Sequence, residues 1–330
     1  MDRMTAEPHS ARASKPRPAS WWDRLTGTHR ALLVWTTASL VANILIMVTG
    51  AFVRLTGSGL GCPTWPQCDA GTLVPHAGLG YHGVIEFVNR TLTFVLILLA
   101  LGVFIAALRS GADRFTRRAT FIAGLGIPLQ GVIGGITVLT HLNPYVVALH
   151  LMASLALVAL LTVVLLHVRG LVRSGVSPLT NLVGKGAAVG MFVACWLGTL
   201  VTGSGPHSGG GAVAGVHRTG LDIESIARVH ALGVWATVAL TVTALVLLRR
   251  AGSSALRFAW LLLGVELLQG ALGYFQYFAG VPMVPVLFHL LLAGVAMAAA
   301  TALAYAVRPA DPDQPKISGS TAAATKTSAK

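Results

Sequence analysis

Charge is what this sequence has least of. Only 11% of its 330 residues are Asp, Glu, Lys or Arg, while 54% are hydrophobic and the mean hydropathy is +0.72. A soluble protein of this length covers its surface with far more charge, so a soluble fold is excluded. Stretches 31–53, 91–108, 119–140 and 186–206 hold no Asp, Glu, Lys or Arg. Stretches 145–166, 229–248 and 282–307 each hold one His and no acid or other base, and 258–285 holds only Glu266. Alternation with period two is also missing, which excludes a membrane barrel. No small-residue cleavage pattern follows the first apolar run, so no cleavable signal peptide is expected.

What is present is an all-α membrane protein with eight spans. Crossing the hydrocarbon core takes about 20 apolar residues. Spans are expected near 31–53, 83–108, 119–140, 145–168, 185–203, 226–248, 256–278 and 283–307. A net charge of +13 could point to nucleic acid, but its placement points to orientation instead. Of 24 Lys and Arg, all but Arg54, Arg90, Arg218 and Arg228 fall on one side of the spans. That asymmetry puts both termini in the cytoplasm and removes the case for nucleic-acid binding. Residues 1–30 and 308–330 are polar and read as disordered cytoplasmic ends. Loops 54–82 and 204–225 lie outside.

Internal similarity divides the chain. Arg54-Leu-Thr-Gly-Ser-Gly59 closes span one and Leu200-Val-Thr-Gly-Ser-Gly205 closes span five. Gln130-Gly131 in span three matches Gln269-Gly270 in span seven, and each Gln precedes a His, His150 or His289, by 20 residues. The pattern reads as two pseudo-repeated four-helix bundles in the same orientation, 31–168 and 185–307, joined by a cytoplasmic linker at 169–184.

Histidine inside a span is a functional signal by default. His150, His230 and His289 lie in spans four, six and eight, all in the outer half of the membrane. Two neutral imidazoles at one depth on facing helices are what a protein contributes to a bis-histidine haem, which His230 and His289 fit. The first half offers His150 but has Asn89 where the repeat predicts a second His. His82, Glu86 and Asn89 share one helical face. Glu86 is a carboxylate suited to moving protons or stabilising positive charge, or else it is interfacial and solvated. Arg90, Arg228 and Arg54 are outer-side cations that could take haem propionates or snorkel to headgroups. Gln130, Gln269 and Glu266 read as interhelical hydrogen-bond partners. Cys62 and Cys68 are close enough to form a disulfide outside the cytoplasm, as a structural staple or a redox pair. Cys195, in span five, reads as a packing residue.

These motifs resemble the haem A synthase family. The resemblance rests on Arg-Leu-Thr-Gly-Ser-Gly-Leu-Gly-Cys-Pro-x-Trp-Pro-x-Cys at 54–68, Glu-x-x-Asn-Arg at 86–90, and Thr-Val-Leu-Thr-x-Leu-Asn-Pro at 137–144 leading to His150. Arg-Val-His at 228–230 and His289 complete it. It covers about residues 31–307. It implies an enzyme of the bacterial plasma membrane that oxidises the C8 methyl of haem O to a formyl group, making haem A for terminal oxidases. It implies a resident haem b on His230 and His289, and substrate haem in the first half on His150, with Glu86 as the catalytic carboxylate and Cys62–Cys68 as the loop pair. Haem O would come from a membrane haem O synthase, and an electron-transfer partner is implied. Two departures stand out. The family's usual span-two His is Asn89 here, so either His82 replaces it or the substrate iron is held from one side. A second outer Cys pair is absent, so no two-disulfide scheme applies.

Two other classes compete. A di-haem b-type electron-transfer subunit needs two ligands per haem in both halves, which Asn89 opposes. A repeat-built transporter needs broken helices and polar groups at the membrane midplane, which this sequence does not offer.

Overall fold

The computed structural model describes residues 21–207, 209–210 and 216–310. A short helix, α1 (Trp21–Thr26), precedes eight long ones: α2 (His29–Leu55), α3 (Gly80–Arg109), α4 (Arg114–Leu139), α5 (Pro144–Val168), α6 (Pro178–Ser204), α7 (Ile223–Arg250), α8 (Leu256–Phe278) and α9 (Met283–Ala306). All eight long helices have the length and apolarity to cross a membrane, so the chain is a multi-pass membrane protein. Residues 1–20 and 311–330 of the expected polar ends lie outside the described residues.

Helix starts follow local chemistry. Thr28, Asp113, Asn143, Ser177 and Asp222 each accept a hydrogen bond from a backbone N–H in the first turn of the helix they cap, which satisfies donors that a helix N-terminus leaves over. Pro144 and Pro178 then occupy first-turn positions where a missing N–H costs nothing. Span five therefore begins seven residues before the expected 185. The Ser177 cap and Pro178 start the helix, and Lys185 lies within its first turns. The polar lead also ends earlier than residue 30. Residues 21–26 are helical, held by Trp35 Nε1 donating to the Leu25 carbonyl at 2.8 Å and by an Arg109–Asp23 ion pair at 2.7 Å. Trp21 and Trp22 stack with ring centroids 4.5 Å apart and stay exposed, as amphipathic rings do at a membrane interface.

Packing sorts the spans into two closed groups. α2, α3, α4 and α5 each contact the next, and α5 returns to α2; α6, α7, α8 and α9 do the same, with α9 returning to α6. The groups meet through α5 and α9, flanked by α2 and α6. Close approach there relies on small residues: Ala296, Ala299, Ala300 and Ala306 of α9 are buried, and a methyl on Gly294 would lie 3.0 Å from Ile44 of α2. In a bilayer such interfaces hold by packing, because lipid tails are as apolar as leucine. A two-stranded parallel ladder of three residue pairs joins β1 (Ser174–Val176) to β2 (Val307–Pro309). Asp113, His167 and Tyr305 form a chain of hydrogen bonds that ties α4, α5 and α9 together.

Candidate functional site

The three span histidines are seated alike. His150 of α5 rests on Gly134 of α4, where a methyl would stand 3.3 Å from the ring's Cε1. His230 of α7 rests on Gly198 of α6 (3.2 Å), and His289 of α9 on Gly273 of α8 (3.4 Å). A methyl at Gly134 or Gly198 would press on the imidazole, whereas at Gly273 it would just reach van der Waals contact. Gln130 Nε2 donates to the His150 carbonyl at 3.1 Å, and Gln269 Nε2 donates to the His289 carbonyl at 3.0 Å. Both glutamines thus act between helices, as expected. Gly134 and Gly273 were missed in the sequence, yet each follows its Gln by four residues.

Ring nitrogens differ. His230 Nδ1 lies 3.0 Å from the Ala194 carbonyl, which orients the ring and leaves Nε2 available to a ligand. His289 and His150 each have a buried Nδ1 with no hydrogen-bond partner among the described residues. A desolvated polar nitrogen without a partner is costly unless something else binds there. Among the described residues, no group of three or more His, Cys, Asp or Glu could hold a bare metal ion. Paired imidazoles instead suit an iron whose other ligands come from a porphyrin, so this donor set fits haem.

The span-two residues do not converge. His82 Nδ1 is 2.9 Å from Ser58 Oγ and its ring lies against Tyr81. Asn89 turns to α2, where its Oδ1 accepts from Thr49 Oγ1 at 2.7 Å. Glu86 is buried, with Oε2 accepting from the Cys62 N–H at 2.8 Å and Oε1 accepting from Arg90 at 2.5 Å. One helical face was expected to collect the three, but the first outer loop comes down onto that face and takes two of them. Arg90 donates from all three guanidinium nitrogens to Glu86 and to the carbonyls of Cys62, Thr64 and Gln67. Its donors are consumed by the loop, which leaves none for a propionate. Arg228 pairs with Glu224 one turn away and is largely exposed. Arg54 spans the groups, donating to the His207 and Thr202 carbonyls at 2.7 and 2.9 Å.

The first loop is a clamp. Cys62 and Cys68 are joined, both fully buried, with Cα atoms 4.4 Å apart. A methyl on Gly61 would stand 2.2 Å from the His82 carbonyl, so only glycine lets the loop backbone lie on α3. Trp65, at the loop's centre, lies on Gly135, where a methyl would meet the indole at 2.4 Å. Beyond the loop, Asp69 pairs with His76 at 2.8 Å, and this bond holds its carboxyl below the usual range. The third loop crosses to both groups: Gly59 N–H donates to the Gly209 carbonyl, and His207 Nε2 lies 3.0 Å from the Val281 carbonyl.

Glu266 is buried in α8, accepting from Thr241 Oγ1 at 2.9 Å, as an interhelical partner should. Its second oxygen has no partner among the described residues.

Comparison with known proteins adds names. The family model described as COX15-CtaA, cytochrome oxidase assembly protein, matches residues 33–301. A heme A synthase of Shewanella oneidensis is 33% identical over 146 residues, 40% of this chain and 44% of that protein. A heme A synthase of Listeria welshimeri is 31% identical over 121 residues, 36% of this chain and 39% of that protein. A protoheme IX farnesyltransferase of Thermus thermophilus is 36% identical over 107 residues, 32% of this chain and 16% of that protein. The chain thus spans less than half the length of each of these relatives.

Proposed function

Because the chain belongs to the COX15-CtaA family of cytochrome oxidase assembly proteins, we propose that it is a haem-modifying oxidoreductase of the bacterial plasma membrane. Its termini face the cytoplasm, and it oxidises the C8 methyl of haem O to the formyl group of haem A. The observation that carries this reading is the set of three span imidazoles, each seated on a glycine of the neighbouring helix, with two buried ring nitrogens left without partners among the described residues. The names of the Shewanella and Listeria relatives point the same way.

His230 and His289 would hold a resident haem b between α7 and α9, and a haem there supplies a reversible one-electron centre. His150 would hold the substrate iron. Asn89 has its oxygen engaged by Thr49, so its amide offers donors toward the first-group site and no strong ligand. Ligation from one side suits a haem that must enter and leave. The matching Gln, Gly and His positions in α4–α5 and α8–α9 support descent of the two groups from one duplicated unit. Glu86, which keeps Arg90 and the Cys62 N–H in place, acts first on the clamp loop and could serve protons only through that network. Turning a methyl into a formyl group with one oxygen taken from water releases four electrons and four protons, so an external electron acceptor is required. The di-haem electron-transfer alternative lacks a fourth ligand, since His82 is turned to Ser58.

Extraction and chromatography of the haems from protein expressed with a source of haem O tests the reading. Haem B together with haem O or haem A supports it. Two haem B per chain favours the electron-transfer subunit, and protein without haem refutes both.

A further inference from the structure

The first loop carries more structure than a staple needs, and its centre is an indole. Glu86 and Arg90 hold the backbone of residues 62–67 from α3, the Cys62–Cys68 bond closes the loop, and Gly61 lets it touch α3 directly. All of that fixes Trp65 on Gly135 of α4. Gly134, one residue earlier, carries the His150 ring. Neighbouring helix positions are about 100° apart around the axis, so indole and imidazole occupy adjoining faces of α4 at one depth. In the second group the position five residues after the Gln is Tyr274 rather than Gly135. Tyr274 carries its own ring, and its hydroxyl accepts from Trp235 Nε1 at 3.2 Å. Where one helix supplies an aromatic ring itself, the other has a glycine and receives its ring from a loop.

We infer that Trp65 forms a wall of the substrate site, packing against the porphyrin rim of a haem whose iron rests on His150. This rests on the reading of the first group as the substrate site. A porphyrin is wider than the step from Gly134 to Gly135, so a macrocycle ligated by His150 reaches the indole. Indole is a broad, rigid apolar surface with a strong preference for stacked or edge contacts with another aromatic system. Trp65 is partly exposed, as a wall facing an exchangeable ligand must be. Mounting the ring on a clamped loop instead of on the helix leaves room to admit the substrate and then fixes its rotation about the iron–His150 axis. That rotation decides which ring substituent is presented for oxidation.

The test is titration of haem O, in detergent, into protein purified from a host that makes no haem O, read by the Soret difference spectrum. Trp65→Ala should weaken haem O binding about tenfold, and Trp65→Phe by less. Resident haem content should be unchanged in both. Gly135→Ala, which pushes the indole aside without removing it, should weaken binding in the same direction. Unchanged affinity in Trp65→Ala, while His150→Ala binds poorly, overturns the role of Trp65 and spares the substrate site. Unchanged affinity in all variants, His150→Ala included, overturns both. If Trp65→Ala loses its resident haem, Gly135→Ala decides: wild-type affinity there overturns the inference.

Discussion

In α5 the His150 carbonyl accepts from Gln130 and its ring leans on Gly134; in α9 the His289 carbonyl accepts from Gln269 and its ring leans on Gly273. Opposite these matched histidines the groups part. α7 presents His230, oriented by the Ala194 carbonyl, whereas α3 presents Asn89, tied to Thr49. Deeper in, α7 and α8 share the buried Thr241–Glu266 bond, while the first group has Ala100 and Ile127 lining a small apolar cavity. At the loop end a disulfide clamp covers the first group, while His207 reaches the Val281 carbonyl beside the second. On the function proposed above, one scaffold would carry two sites, one keeping its haem with two imidazoles and one with a single imidazole, a loop-borne ring and an asparagine opposite. The contrast between retaining and exchanging haem would then lie in a few residues.

The comparison breaks most visibly at the ligands. His230→Ala or His289→Ala should strip the resident haem, a loss of nearly all the Soret absorbance of protein purified without haem O. His150→Ala should keep that haem and abolish conversion of haem O to haem A in extracted pigments. Retention of the resident haem by both second-group variants would reverse the assignment of the two groups.

Asn89→His sharpens the same contrast by giving α3 the residue that α7 has. Expected is a second haem retained through purification, raising the haem content from one to two per chain, with conversion reduced because the product no longer leaves readily. An unchanged haem content would mean that the Thr49 side of α3, and not the missing imidazole, sets the difference.

Arg90→Ala attacks the clamp. It leaves Glu86 buried without its cation, a loss of about 3 kcal/mol by the usual cost of breaking a buried pair. The melting temperature in detergent should drop, and accessibility of Cys62 and Cys68 to thiol reagents after mild reduction should rise. Arg228→Ala, which breaks an exposed pair in the second group, should change stability by no more than about 1 kcal/mol. Equal effects of the two would contradict the structural difference between the outer ends.

Much of this was readable from the chain, for identifiable reasons. The spans were legible because lipid demands long uncharged helices, and the largest boundary shift came where the Ser177 cap starts α6 before Lys185. The histidines and glutamines were legible because polar groups in lipid are few and their spacing repeats. What could not be read was which way the span-two residues turn. His82, Glu86 and Asn89 share a helical face by period alone, but Ser58, Cys62 and Thr49 come from elsewhere in the chain to claim them. The seats at Gly134, Gly198 and Gly273 were hidden because a glycine in a membrane helix has many uses. Trp65 was hidden because a loop residue's partner is set by tertiary structure.

The smallest expected effect lies at the N-terminal ends of α4 and α8, the helices that carry the two glutamines. α4 starts with Asp113, which accepts from the Thr116 N–H, whereas α8 starts at Ala255 with no side-chain cap. Hydrogen bonds from Thr116, side chain first and then backbone, with His167 beside them, hold the Asp113 carboxyl down at about 2. A carboxyl with a lowered folded value stabilises the fold above its unfolded value of about 3.9, and that contribution is lost as pH falls toward about 2. Asp113→Ala should therefore lower the melting temperature slightly near neutral pH, by the cost of one lost cap, about 1 kcal/mol. The difference from wild type should shrink as the pH is brought below about 4. A gap that stays constant with pH would mean that the carboxylate's charge plays no part in starting α4.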